Sequence, residues 1–469
     1  MVRVALEESI RTLLSYSLAK RSGSDDSFSI HPLVHSWAKL RLESEPQKET
    51  EIAMEVFDIL GTGVHIPDEG KMCTDDWIYE QRVIPHIDAV TKHMRKYMDI
   101  QARSSSLGDV YRRHGRHNKA LEWYRRVLEG SEKALGVDHP STLTIVHKMA
   151  VVFDRQGLYE RALEWYGRAL AGREKILGVD HLDTLASVHS IALVFDNQGR
   201  YSKALEWYRQ ALGGREKALG MDHPSSLTTV HNIAAVYNNQ GMYTKALEWY
   251  WRALAGEEKA LGVDHPSTLT TVHSMALVFD NQGEYAKALQ WYERALAGRE
   301  KALGVDHPST LTTVHNMASV FSNQGQYDKA LEWYGRVLAR EEQALGVDHP
   351  STLTTVHNMA VIFDSQRQYD KAREWYGRAL SGREKALGIQ HPLTRITTRC
   401  LIDLQAQTGH PEKVQSLRTR LHVPNVPGNK ADTSKVDNSR GNTIAILIRQ
   451  FDMVLTKAVR VNPRTSVAK

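Results

Sequence analysis

Histidine is the chemically versatile residue that this chain places most regularly. His147, His189, His231, His273, His315 and His357 recur at intervals of 42 residues. Seven residues after each comes a polar position: Asp154, Asp196, Asn238, Asp280, Ser322 and Asp364. Beside that row stand Arg155, Asn197, Asn239, Asn281, Asn323 and Ser365. Imidazoles and carboxylates suggest acid–base work or metal ligation. Spacing argues against shared ligation, because side chains on successive stacked helices stand too far apart to share an ion at about 2 Å. What remains is hydrogen bonding. Asn and His can engage a peptide backbone without demanding a side-chain sequence. The same histidines could equally bond a neighbouring helix.

Other chemistry is sparse. The chain contains no G-x-S-x-G, H-E-x-x-H, paired-Cys or G-x-x-x-x-G-K-[ST] pattern, so no hydrolase, zinc or NTPase signature is present. His31 and His35 have the spacing of a metal pair but no third ligand nearby. Cys73 and Cys400 are the only cysteines, which disfavours a disulfide scaffold. No cofactor and no metal is expected, and no enzyme activity. The net charge of +5 is spread along the chain and does not point to specific nucleic acid binding. No apolar run is long enough for a transmembrane segment, and the N-terminus lacks a secretory core, so a cytoplasmic location is the expectation.

The elements that must position the histidines follow from the same period. Trp123, Trp165, Trp207, Trp249, Trp291, Trp333 and Trp375 repeat with it. A fixed period of this size signals stacked units that bury a core only against their neighbours. In one unit, Asp138-His139-Pro140 starts a helix that runs to about Gln156, with Leu143, Val146, Met149, Ala150 and Phe153 on one face. Gly157 breaks it. A second helix carries Tyr159, Ala162, Leu163, Tyr166, Ala169 and Leu170 and stops at Gly178. Arg173, Glu174 and Lys175 are expected on its outer, wetted face. The Trp row reads as core, and the His-Pro histidines read as local caps.

This pattern resembles the tetratricopeptide repeat, whose usual unit has about 34 residues. The longer unit "NQGxYxKALEWYxRAL…REKALGxDHPxTL", over about Asp99 to Gly388, is similar to the repeats of kinesin light chains and of fungal multidomain receptors. The resemblance implies an all-α, right-handed superhelix of about seven to eight helical hairpins. It also implies that the first helix of each unit lines a concave groove, so that the His, Asp and Asn rows above form the partner-binding surface. The partner would be a protein or an extended peptide, and self-association is compatible with the same surface. A degenerate unit at Asp99 to Val137 and a partial one from Pro392 to about Leu421 read as caps.

Residues 1–45 read differently: a helix through Leu6 to Leu18, a turn at "SGSDD", a strand at Phe28 to Ile30, and a helix from Pro32 to Leu42. "FSIHPLVHSWAKLRL" resembles the winged-helix segment of NB-ARC receptors, with His31 at the position of the family's phosphate-touching histidine and Pro32 in place of the following Asp. The expected plan is a winged-helix-like remnant at 1–45, a helical linker at 46–98 and the solenoid at 99–421. A disordered linker at 422–442 and an amphipathic helix with tail at 443–469 follow. The functional expectation is an interaction scaffold, namely the sensor part of a fungal NOD-like receptor without its NTPase module. The alternative is a kinesin-light-chain-like cargo adaptor.

Overall fold

The computed structural model describes residues 19–22, 27–30, 84 and 105–421. The expected helices within 1–45, the 46–98 linker, the 422–442 linker and the 443–469 helix lie outside the described residues, as do His31 and His35. Among the described residues are one small β-hairpin and sixteen helices. The hairpin pairs β1 (Ala19–Ser22) with β2 (Ser27–Ile30) antiparallel, in the register Ala19 to Ile30 and Ser22 to Ser27.

The chain divides into two compact units. The first contains the hairpin and the pair α1 (Ser105–Arg113) and α2 (His117–Leu135). The second unit contains seven hairpins: α3 (Pro140–Arg155) with α4 (Tyr159–Leu177), α5 (Leu182–Asn197) with α6 (Tyr201–Leu219), and α7 (Pro224–Asn239) with α8 (Tyr243–Leu261). Then come α9 (Pro266–Asn281) with α10 (Tyr285–Leu303), α11 (Pro308–Asn323) with α12 (Tyr327–Ala344), α13 (Pro350–Ser365) with α14 (Tyr369–Leu387), and α15 (Pro392–Gln407) with α16 (Pro411–Leu421).

Each start is built alike. The His139 side chain accepts the backbone N–H of Ser141 at 3.2 Å, and Pro140 follows where a missing N–H costs nothing. His181, His223, His265, His307, His349 and His391 repeat this cap. The turn between the two helices needs a left-handed residue. Gly157 supplies it at φ +73°, and the same turn carries Arg367 at φ +60° in the unit of α13.

Within the second unit, each second helix from α4 to α14 packs on its own first helix and on the first helix of the next hairpin, and successive first helices from α3 to α11 touch. Small residues permit the approach. A Cβ added to Gly172 would stand 2.6 Å from Leu143 Cδ2, so a side chain there requires the leucine to move, and the α12 unit carries Arg340 at this position. The core is therefore a continuous seam. Ala318, Ala330, Tyr334 and Leu338 pack with Val356, Met359, Ile362 and Ala379 of the following unit. The tryptophans lie at its edge, as Trp165 does beside Phe153 with ring centroids 6.1 Å apart.

Candidate binding face and the polar seams behind it

The histidine row does not stand open. His189, His273, His315 and His357 are buried, at 1 to 5% exposure, and His147 and His231 are half-buried. The expectation that all six line a groove is corrected here for the four buried rings. Their helices press against both neighbouring units, and the rings turn into the junction. Each of the six packs on the tyrosine of its own second helix, as His189 does edge-on to Tyr208 at 5.1 Å.

Behind each ring lies a charged side chain, and behind His147 it is Arg173, which sequence reasoning placed in water. Arg173, Arg215, Arg299 and Arg383 are all under 5% exposed, which corrects the outer-face assignment of Arg173. Arg215 donates to the Ser225 carbonyl at 2.9 Å, to Thr229 Oγ1 at 2.7 Å and to His189 Nδ1 at 3.3 Å. Arg299 repeats this with Ser309, Thr313 and His273, and Arg173 with Asp183, Ser187 and His147. Each guanidinium ties its own unit to the next. Burial pushes Arg215 and Arg299 down to about 10 and Arg383 to about 9. Burial, then the adjacent guanidinium, hold His189, His273 and His357 well below the ordinary imidazole value. Burial alone takes His315 to about 4.

The two remaining units put a carboxyl in the guanidinium's place. Glu257 and Glu341 are 3% and 5% exposed. Thr355 Oγ1 donates to Glu341 Oε2 at 2.6 Å. Burial raises Glu257 to about 8 and Glu341 to about 7, against the lowering effect of their threonine hydrogen bonds.

The second polar row is partly withdrawn as well. Asp196 and Asp280 are buried, which corrects their assignment to an open channel, while Asp154, Asn238, Ser322 and Asp364 are half-buried. Burial raises Asp154 to about 6, opposed by its bond from Asn197. Beside them the asparagines are half-buried and held in register. Asn197 Nδ2 donates to Asp154 Oδ1 at 3.1 Å, Asn239 to Asp196 at 3.1 Å, Asn281 to Asn238 Oδ1 at 3.2 Å and Asn323 to Asp280 at 3.4 Å. Arg155 and Ser365 at the ends of the row are exposed. On the same helix face run Thr144, Ala186, Thr228, Thr270 and Thr312, all half-buried, and the buried Thr354, with Val151, Leu193, Ala235, Leu277, Ser319 and Val361 between the threonine and asparagine rows, all buried but the half-buried Val151. The candidate face is thus a pair of half-buried rows, threonine on one side and fixed asparagine amides on the other, over a largely apolar and mostly buried floor. The histidines, arginines and buried aspartates form the layer beneath it.

The guanidinium position had one sequence signal. The segment "GREKAL" becomes "GEEKAL" at Gly256 to Leu261 and "REEQAL" at Arg340 to Leu345, a charge reversal inside otherwise near-identical text. Among the described residues no group of three or more His, Cys, Asp or Glu could hold a metal ion. None of their helices is long and apolar enough to cross a membrane.

Comparison with solved structures found several similar chains. A Podosopora anserina structure, described as a kinesin light chain with nearly identical TPR-like repeats, is 28% identical. That match covers 44% of this chain and 98% of that one, with a TM-score of 0.38. BtubC from P. vanneervenii is 18% identical over 51% of this chain and 96% of its own, with a TM-score of 0.40. The apo quorum sensor NprR from B. thuringiensis is 15% identical over 74% and 96%, with a TM-score of 0.48. No curated protein matches the chain. The tetratricopeptide repeat model matches at residues 100–175, 147–217, 225–301, 281–340 and 309–385, well over half of the sequence. With its stacked helical hairpins, the chain belongs to the tetratricopeptide repeat family.

Proposed function

We propose that the chain is an interaction scaffold that holds a protein or extended peptide along the threonine- and asparagine-bordered face of its first helices. The observation that carries this reading is the asparagine row. Each amide nitrogen is fixed by its neighbour in the next unit. Pre-positioned amides at a constant interval bind an extended backbone at little ordering cost. The histidines serve this face from behind by fixing the spacing of the helices. We read the protein as a scaffold without catalysis. Its membership of the family supports an interaction role in general terms.

Within this reading we infer the sensor part of a fungal, cytoplasmic NOD-like receptor, with the domain plan given under Sequence analysis. The support is the NB-ARC-like segment "FSIHPLVHSWAKLRL". Finding a phosphate-binding loop in frame in the full-length transcript would strengthen it, and its absence there would remove it.

The binding reading is tested by selecting peptides from a display library on the full chain. Their affinity is then measured for a variant with Asn197, Asn239, Asn281 and Asn323 changed to Ala. At least a tenfold loss with an intact circular dichroism spectrum is the expected outcome. Unchanged affinity would move the working surface elsewhere.

A further inference from the structure

The seams between units are of two kinds, and hydrogen-bond bookkeeping separates them. Where an arginine closes the seam, the direction of donation is fixed. Arg299 can only donate, so His273 Nδ1, 3.4 Å away, must present its lone pair and carry its proton on Nε2, and Asn316, whose Nδ2 stands 3.2 Å from Nε2, must turn its amide to offer Oδ1 to that proton. Thr313 accepts from the same guanidinium and gives its own proton to the Ser309 carbonyl at 3.1 Å.

Where a glutamate closes the seam, the direction is free to change. Thr355 turns its hydroxyl proton to Glu341 Oε2 at 2.6 Å. Its oxygen can then only accept from His315 Nδ1, 3.3 Å away. His315 Nε2 is left as an acceptor and takes the Asn358 Nδ2 hydrogen at 3.0 Å. This is the arrangement for an ionised carboxylate. The other seam of this kind places His231 Nδ1 2.9 Å from Thr271 Oγ1, with Thr271 bonded to Glu257.

We propose that the seams closed by Glu257 and Glu341 are proton-operated junctions, in which a carboxyl–threonine–histidine chain reverses its direction of donation when one proton enters or leaves. The step balances at Glu341 as follows. Solvent delivers a proton to His315 Nε2. The Nδ1 proton passes to Thr355 Oγ1, and the threonine's own proton passes to Glu341 Oε2. The ring ends neutral with its proton on Nε2, and the carboxyl ends neutral and donating to the threonine. The reversed ring needs an acceptor, and Asn358 supplies one by turning its amide: Oδ1 is buried and without a partner in the present orientation. In the other seam, Glu257 Oε2 is likewise buried and unpartnered, a poor place for a full negative charge and a tolerable one for a neutral acid.

The surroundings supply no cation to hold the charged form. His315 of α11, and the capping His349 with His357 and Asp364 of α13, are the titratable groups on the helices against Glu341. His231 of α7, and the capping His265 with His273 and Asp280 of α9, are their counterparts against Glu257. The neighbouring charges on α8 and α12 point elsewhere: Glu258 pairs with Arg294, Lys259 with Asp222, Arg340 with Asp306 and Glu342 with Arg378. Losing the proton therefore leaves an uncompensated carboxylate between two units, and both seams loosen as pH rises. The four arginine seams have no such step. The pitch of the array then changes at two defined places, between α7–α8 and α9–α10 and between α11–α12 and α13–α14.

The test follows the histidine tautomers in the full chain by nitrogen-15 NMR, between about pH 6 and about pH 9. His315 is expected to pass from Nε2–H to Nδ1–H as pH rises, and His273 to stay Nε2–H throughout. In Glu341→Gln the His315 transition disappears. Glu341→Arg, which restores the majority residue, holds His315 in the Nε2–H form at every pH and covers the case in which the glutamine variant folds poorly. A His315 tautomer that does not change in the native chain, or that changes equally in Glu341→Gln, overturns the proposal.

Discussion

The seam behind α6 and the seam behind α12 are written in nearly the same 42-residue text, yet they are held by opposite chemistry. At the first, Arg215 reaches across to a backbone carbonyl, a hydroxyl and an imidazole of the two units it joins. At the second, Glu341 meets a single hydroxyl. Both side chains are buried, and the apolar packing around them is closely similar: Ala, Tyr and Leu from the second helix against Val and Ala from the first helices, with Ile191 and Ile233 at the first seam where Met317 and Met359 stand at the second. Shape therefore makes the seams stack, and one buried group per seam sets how each responds to charge.

Several measurements would break or sharpen that contrast. Arg215→Ala should have the largest effect. It leaves the Thr229 hydroxyl and His189 ring without their donor and opens a cavity, costing about 3 kcal/mol, read as a lower urea midpoint. A loss well under 1 kcal/mol would mean that the guanidinium is a passenger.

Glu341→Gln should act in the opposite direction, and only at high pH. Burial pushes Glu341 up to about 7 in the folded chain, above the ordinary carboxyl value of 4.5. Its stabilising contribution is complete below about 4.5 and is lost as pH rises through about 7, because the folded state holds the proton the unfolded chain releases. The glutamine variant should thus be more stable than native by on the order of 2 kcal/mol at about pH 8.5, and nearly equal to it at about pH 5. An identical difference at both pH values would contradict the ionisation account.

Arg367→Gly should gain about 1 kcal/mol, because the arginine holds a left-handed conformation that glycine adopts without cost. The effect should be the same at all pH values and leave both kinds of seam unchanged, which makes it a control. The smallest effect belongs to the outer ion pairs. Lys217 bonds Asp180 at 2.7 Å with its side chain 74% exposed. Lys217→Met should leave the thermal midpoint unmoved at physiological salt, since water and ions already screen the pair.

Most of the architecture was legible before any coordinates. The His-Pro start, the turn glycine and the alanine and tyrosine spacing each specify a local conformation by a local rule, and the helices fall within a residue or two of expectation. The site was less legible, because which face of a helix points into a seam depends on the angle at which the next unit stacks. That angle is a tertiary property. His189 and Asn197 are both polar residues on α5, and composition cannot say that one turns into the junction while the other borders the open side. Arg173 shows the same difficulty more sharply. In "GREKIL" it looks like one more charge on a wetted helix, and only the neighbouring unit's carbonyl and hydroxyl explain its burial.

The central claim is that the repeated histidines are structural groups locked between units, with the binding face in front of them. The most direct measurement is a nitrogen-15 titration of the histidine rings in the full chain. His189, His273, His315 and His357 should remain neutral from about pH 8 down to about pH 5, since burial lowers all four and takes His315 to about 4. Protonation of these rings near the ordinary value of about 6.5 would show them open to water and return them to the groove.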